Sequence, residues 1–369
     1  MPYLLVAGRW KILQKTSKQK GKIAVIIFSA ISQDKRRIVM KRTSIKIATI
    51  FFVSFFCCSW GFLVHRTVNQ LAIYQLPKSM RSFFYEYKDS IARNAPRPDQ
   101  RRNTDPTEAT KHFIDIEAYG DSAEWRMPIN WNEAAGKYGK DSLLKYGYLP
   151  YHVIVIKNKL TDAFRSGNRD SIIFYATDLG HYIGDAHVPL HTALNYDGQL
   201  TNQRGIHDLW ETSVPEAVLD QYNLHSRHEA EYLSSPEEAI WQTIRASHAL
   251  LNEMFATERE VSKDFTDSTK YFTEFRWGKD RRFYTAAFAK AYNIKLGKSI
   301  NEQLLRSANQ IADFWYTAWV DAGKPDLTAL LLKTFDKTFR KALKKECKAY
   351  RKNELIEKKL LIAKQVTQN

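Results

Sequence analysis

The chain has 369 residues and a formal net charge of +16, with 44% hydrophobic residues and three cysteines. That is enough chain for one large domain plus appendages and too few cysteines for a disulfide framework. The charge is uneven: residues 1–59 hold twelve Lys/Arg against one acid and residues 324–369 thirteen against five, leaving 31 bases and 34 acids over 60–323. A central body of net −3 excludes the broad basic footprint of a strong duplex binder.

In chain order, residues 1–39 read as an upstream extension without function. From Met40, "MKRTSIKIATIFFVSFFCCSW" has a basic opening, an apolar run from about Ile45 to Phe56 and small residues at Cys57 and Ser59. This is the pattern of a signal peptide over 40–59, cleaved after Ser59, and it predicts export to a periplasm or the exterior. The competing membrane anchor needs roughly 20 apolar residues, more than the run supplies. A lipid on Cys57 or Cys58 is the other alternative, with a poor lipobox. After cleavage only Cys347 remains, so no intrachain disulfide can form.

Between Trp60 and Ala322 the apolar spacing is that of helices. "TVNQLAIYQL" (67–76) repeats every three and four residues until Pro77, and "RDSIIFYATDLGHYIGDA" (169–186) does so before Pro189. A third helix is predicted over 235–260, capped by Ser235 with Pro236 following, and a fourth over 299–323, capped by Ser299 and closed by Gly323. No strands are expected, and long loops fall near 94–110 and 192–206. The predicted fold is all-α: a single multi-helix domain over 60–323 and a basic amphipathic tail over 324–369. That tail is read first as a solvated helix, with a membrane surface or a partner as alternatives.

The chemistry concentrates in "GHYIGDAHVPLH". His181 and Asp185 stand four apart on one helix face, and the turn at Pro189 brings His191 to the helix end. Sixteen residues on, "GIHDLWETS" repeats the pair with His207 and Glu211. Histidine nitrogen and carboxylate oxygen are zinc donors, and helices supply them as rigid i, i+4 pairs. Upstream, "APRPDQRRN" offers Asp99, "TKHFIDIEAYGD" offers His112 and Asp115, and "WGFLVH" places Trp60 and His65 just beyond the predicted cleavage point. His187 reads as helix surface, and Trp125 and Trp210 as packing residues.

With these motifs in this order, residues 60–323 resemble the superfamily of zinc-dependent phospholipases C and single-strand-specific zinc nucleases. The resemblance implies a trinuclear zinc cleft. Asp99, His112, His181 and Asp185 would hold one ion; His191, His207 and Glu211 a second; and the freed amino group and carbonyl of Trp60, His65 and a bridging Asp185 a third. Asp115 would orient a ligating imidazole, and Asp99 would also serve as base for a metal-activated water. The implied activity is phosphodiester hydrolysis. "HDLWE" with Glu211 points to the phospholipase C side and a lipid head group; the five-residue step from Trp60 to His65 points to the nuclease side and single-stranded nucleic acid. The main expectation is the phospholipase C-like hydrolase, with membrane-surface contact through the basic tail; the nuclease is its alternative. A non-catalytic protein stabilised by zinc is the reading from a different class.

Overall fold

The computed structural model describes residues 62–276, 278–332 and 336–366. Trp60, the expected signal peptide and the expected upstream extension lie outside these described residues. The all-α expectation is met. The main helices are α1 (Phe62–Gln75), α2 (Lys88–Asn94), α3 (Leu149–Ser166), α4 (Arg169–Ala186), α5 (Pro236–Ala249), α6 (Leu251–Val261), α7 (Ala286–Leu296), α8 (Ser299–Asp321), α9 (Lys337–Arg351) and α10 (Ile362–Val366). None of the described helices is long and apolar enough to cross a membrane.

Two local signals resolve differently from the sequence pattern. Ser235 caps α5 by accepting from Glu238 N, as its position predicts, but the helical stretch breaks at Leu250 into α5 and α6. Ser299 is the first residue of α8 and its cap is Lys298, while Gly323, at φ +91°, follows the helix end as expected. One hairpin interrupts the helices: β1 (Tyr271–Arg276) pairs antiparallel with β2 (Lys279–Tyr284), with Tyr271 opposite Tyr284.

The core is built by α1, α3, α4 and α8, which pack on one another. α1 is buried nearly all round, from Leu63 to Gln75 with Val64 the exception, so it is a central rather than a surface helix. Trp315 of α8 fills the space beside α4 and donates its indole N–H to Ala176 O at 2.9 Å. Burying the indole body while satisfying its one donor makes Trp a stable core choice.

The C-terminal segment is not a solvated tail. α9 and α10 dock on α1. Buried Glu346 of α9 accepts from Tyr74 Oη at 2.6 Å and Tyr85 Oη at 3.0 Å and pairs with Lys88 Nζ at 2.6 Å. Gln70 of α1 donates to Leu360 O and accepts from Ile362 N, both at 2.8 Å. The basic composition of 324–369 hides these contacts, because one buried acid and a few small residues are enough to anchor a helix whose other faces stay charged.

Candidate metal centre

Each expected ligand within the described residues comes from an element that fixes its direction. His65 sits in the first turns of α1. His181 and Asp185 lie one turn apart near the end of α4, and His191 follows in the 3₁₀ turn Pro189–Thr192. Asp99 is carried by the short helix Arg97–Arg101, and His112 follows the 3₁₀ turn Ala109–Lys111. His207 belongs to the turn Ile206–Asp208, and Glu211 to a π turn, Leu209–Ser213. The wide turn has a local cause: Pro215 lacks the amide that would bond Glu211 O in a regular helix. Wide turns of this kind recur at functional sites.

The eight side chains converge. Donor atoms of His65, His181 and Asp185 lie within 4.8 Å of one another, as do those of Asp99, His112 and His181 and those of His191, His207 and Glu211. Two carboxylates, buried Asp185 and half-buried Glu211, tie the groups together. Asp185 presents Oδ2 to His112 Nδ1 at 2.9 Å and His181 Nε2 at 3.4 Å, and Oδ1 to His65 Nε2 at 3.4 Å. Glu211 presents Oε1 to His65 Nε2 at 3.2 Å and Oε2 to His207 Nε2 at 2.9 Å and His191 Nε2 at 3.5 Å. Asp99 Oδ1 stands farther out, 3.6 Å from His112 and 3.8 Å from His181.

The surroundings decide which ring nitrogens face inward. His181 Nδ1 lies 2.9 Å from Ala95 O and His191 Nδ1 2.5 Å from His112 O. A carbonyl can only accept, so both Nδ1 atoms carry the hydrogen and both Nε2 atoms are left as lone pairs. His181 Nε2 then faces His112 Nδ1 at 3.1 Å, and His191 Nε2 faces His207 Nε2 at 3.1 Å. Opposed imidazole nitrogens beside carboxylates need a proton or a cation between them, and a zinc ion takes this donor set. The electrostatics agree. Burial alone would raise Asp185 and Glu211, yet the facing histidines hold both well below the usual carboxylate range. Burial likewise opposes charge on His112, but hydrogen bonding to Asp185 and Glu108 outweighs it and lifts this imidazole to about 9. His181, fully buried and beside His65, is pushed down to about 3.

Asp115, expected as an orienting carboxylate, does not stand beside a site imidazole; the carboxylate nearest His112 Nε2 is Glu108. Asp115 sits beside Glu117; burial and that neighbour lift it to about 6, and it bonds no site imidazole among the described residues. Glu108 Oε1 stands 3.5 Å from His112 Nε2 and accepts from Tyr182 Oη, and Glu108 also pairs with Arg101 at 3.2 Å and Lys111 at 2.7 Å. Arg97 and Arg101 in turn clamp buried Asp178 of α4, at 2.5 and 2.8 Å, which anchors the helix bearing Asp99. The sequence signal for Glu108 is its place four residues before His112. His187 is also not helix surface: it is buried at the end of α4 with Nδ1 2.9 Å from Ile183 O, and burial pushes it down to about 4. Trp210 packs as expected, whereas Trp125 is 68% exposed under the Arg245 guanidinium.

Gly184 explains how α1 approaches α4 so closely. A Cβ there would lie 2.9 Å from His65 Nδ1. Gly184→Ala is therefore expected to push the His65 ring out of the cluster, lowering zinc content by about one ion per chain and activity by roughly 10–100-fold, with the circular dichroism of the helices retained. Full zinc content in that variant, measured by mass spectrometry of the metal, would show that His65 tolerates the displacement.

No curated protein matches the chain. A family model described as S1/P1 Nuclease matches residues 60–315, a span that contains all nine expected ligand positions. That match covers more than half of the sequence and coincides with a donor set suited to zinc, so the chain belongs to the S1/P1 nuclease family of zinc-dependent phosphodiester hydrolases.

Proposed function

We propose that the protein is a nuclease that cleaves single-stranded DNA or RNA with three zinc ions, and that it is exported and begins, when mature, at Trp60. The observation that carries the reading is the nuclease-family match over residues 60–315, the span in which all nine expected ligand positions fall. It favours the nuclease over the phospholipase C reading that Glu211 and "HDLWE" suggest. Asp99, His112, His181 and Asp185 would hold one ion, and His191, His207 and Glu211 a second. His65 and Asp185 would hold the third, together with Trp60, which lies outside the described residues.

Zinc held there supplies Lewis acidity toward a phosphoryl oxygen and acidifies water. The chain's own groups divide the remaining work. Asp185 and Glu211 are nearly closed to solvent, with side chains 2% and 13% exposed, whereas Asp99 is 28% exposed. Asp99 is thus the site carboxylate that can take the proton of the attacking water at Oδ1 and pass it to bulk. The Ala95 and His112 carbonyls hold His181 and His191 in the ligating tautomer, so no ring must turn during the reaction.

Protein beginning at Trp60, supplied with zinc, is expected to degrade single-stranded DNA and RNA, to stop when chelator is added, and to leave phosphatidylcholine vesicles intact. Release of phosphocholine with intact nucleic acid would reverse the assignment.

A further inference from the structure

The family match ends at residue 315, yet the chain beyond it builds a feature of its own. Where α9 meets the turn after α1 there is a cavity of about 910 Å³, walled by Lys78, Arg81, Lys324, Arg340, Lys344 and Arg351. Its floor is apolar and aromatic, from Trp319, Pro325 and Leu343. A second cavity of about 730 Å³ shares Lys78, Arg81 and Arg351 and runs on past Arg227, Glu229 and Tyr350. The single acid in the first wall, Asp326, is turned to the backbone amide and hydroxyl of Thr328, at 2.9 and 2.5 Å. Among the described residues Lys78, Lys324, Lys344 and Arg351 have no carboxylate partner in any ion pair.

Cations that outnumber acids six to one around the first cavity repel one another, and a groove that keeps them beside Trp319, Pro325 and Leu343 suits a ligand with repeated phosphates and planar apolar faces. A lipid surface suits it less. A helix lying on a membrane turns its apolar face outward, whereas the buried side of α9, with Cys347, Ala349 and Tyr350, is turned into the protein and its outward residues are mostly Lys and Arg. The position fits too. α1 runs from the metal centre at His65 to Tyr74 in the wall of the second cavity, about 14 Å at 1.5 Å per residue.

We infer that this groove is a second binding site for single-stranded nucleic acid, holding the phosphate backbone of the substrate away from the scissile bond. The inference rests on the nuclease reading above. It supplies the basic footprint that the central body, with net charge −3, lacks. A long strand can engage both the groove and the metal centre, and a dinucleotide only the latter.

The test compares the zinc-loaded full protein with its Arg340→Glu, Lys344→Glu double variant; both residues are exposed on α9 and remote from the ligands. For a 30-residue oligodeoxythymidylate the variant's kcat/KM is expected to fall at least about fivefold at low salt, and its log–log salt slope to shrink by about two. For the thymidine dinucleotide kcat/KM should stay within about twofold. Equal losses on both substrates, or none on either, would overturn the groove assignment. If the protein cleaves no nucleic acid at all, the nuclease reading fails, and anisotropy of the labelled 30-mer then reads the groove by itself: weaker binding by the variant supports it and equal binding overturns it. Tight binding to phosphatidylserine vesicles with none to the 30-mer would overturn it in favour of a lipid surface.

Discussion

Asp185→Asn is expected to abolish activity while leaving the helices in place. Asp185 is 1% exposed and its two oxygens serve different groups, Oδ2 facing His112 and His181 and Oδ1 facing His65. Asparagine keeps the shape but replaces one oxygen by an NH₂ that cannot ligate and points hydrogens at lone pairs. One substitution thus strikes two of the three proposed zinc positions. Loss of an outer orienting partner costs roughly 10–100-fold in affinity or activity, so a shared ligand must cost more. The check is metal content per chain beside circular dichroism: a fall of about two zinc ions with the helical signal kept is the expected result. Full zinc occupancy would end the bridging role.

How the site was legible follows from what sequence spacing encodes. The i, i+4 pairs His181/Asp185 and His207/Glu211 are helix geometry written directly in the chain, and they land together as spaced. His65 and Asp99 are legible only through family resemblance, because their convergence depends on how α1 and the Arg97–Arg101 turn cross α4. The approach of α1 depends on Gly184, whose missing Cβ has no signature in periodicity. The bridging by Glu211 between His65 and His207 was likewise out of reach, since it needs a π turn that only Pro215 hints at. The fold class was plain from apolar spacing, but the β1–β2 hairpin was not: its strands carry Lys, Arg and Glu beside aromatics, and the turn is marked only by Gly278. The docking of α9 was concealed by composition, as Glu346 is one acid among many bases and pairs with residues some 260 positions away.

Glu108 is the residue for which sequence reasoning substituted Asp115, and it separates two roles that the wild-type protein combines. Its carboxylate is 1% exposed and is shared among Arg101, Lys111, Tyr182 and His112. Burial would raise its pKa, but the bonds from His112, Lys111, Tyr182 and Arg101 outweigh burial and hold the carboxyl far below its ordinary 4.5. A depressed carboxylate contributes stability that is fully present above the unfolded value and drains away as pH falls below it. Glu108→Gln keeps the size and removes the charge, so it should cost about 1–3 kcal/mol at pH 7, and the gap from wild type should narrow toward pH 4, read by urea denaturation. Glu108→Ala also leaves a void beside the half-buried Arg101 and Lys111 and should cost more than Glu108→Gln. The orienting role has its own readout. With a neutral amide oxygen in place of the carboxylate, the partner of His112 Nε2 is weakened, the ring's preference for presenting Nδ1 to the cluster falls, and zinc affinity in Glu108→Gln should drop by roughly 10-fold even where the variant is fully folded. A folded Glu108→Gln protein that binds zinc as tightly as wild type would reduce Glu108 to a structural anchor of the Arg97–Lys111 segment.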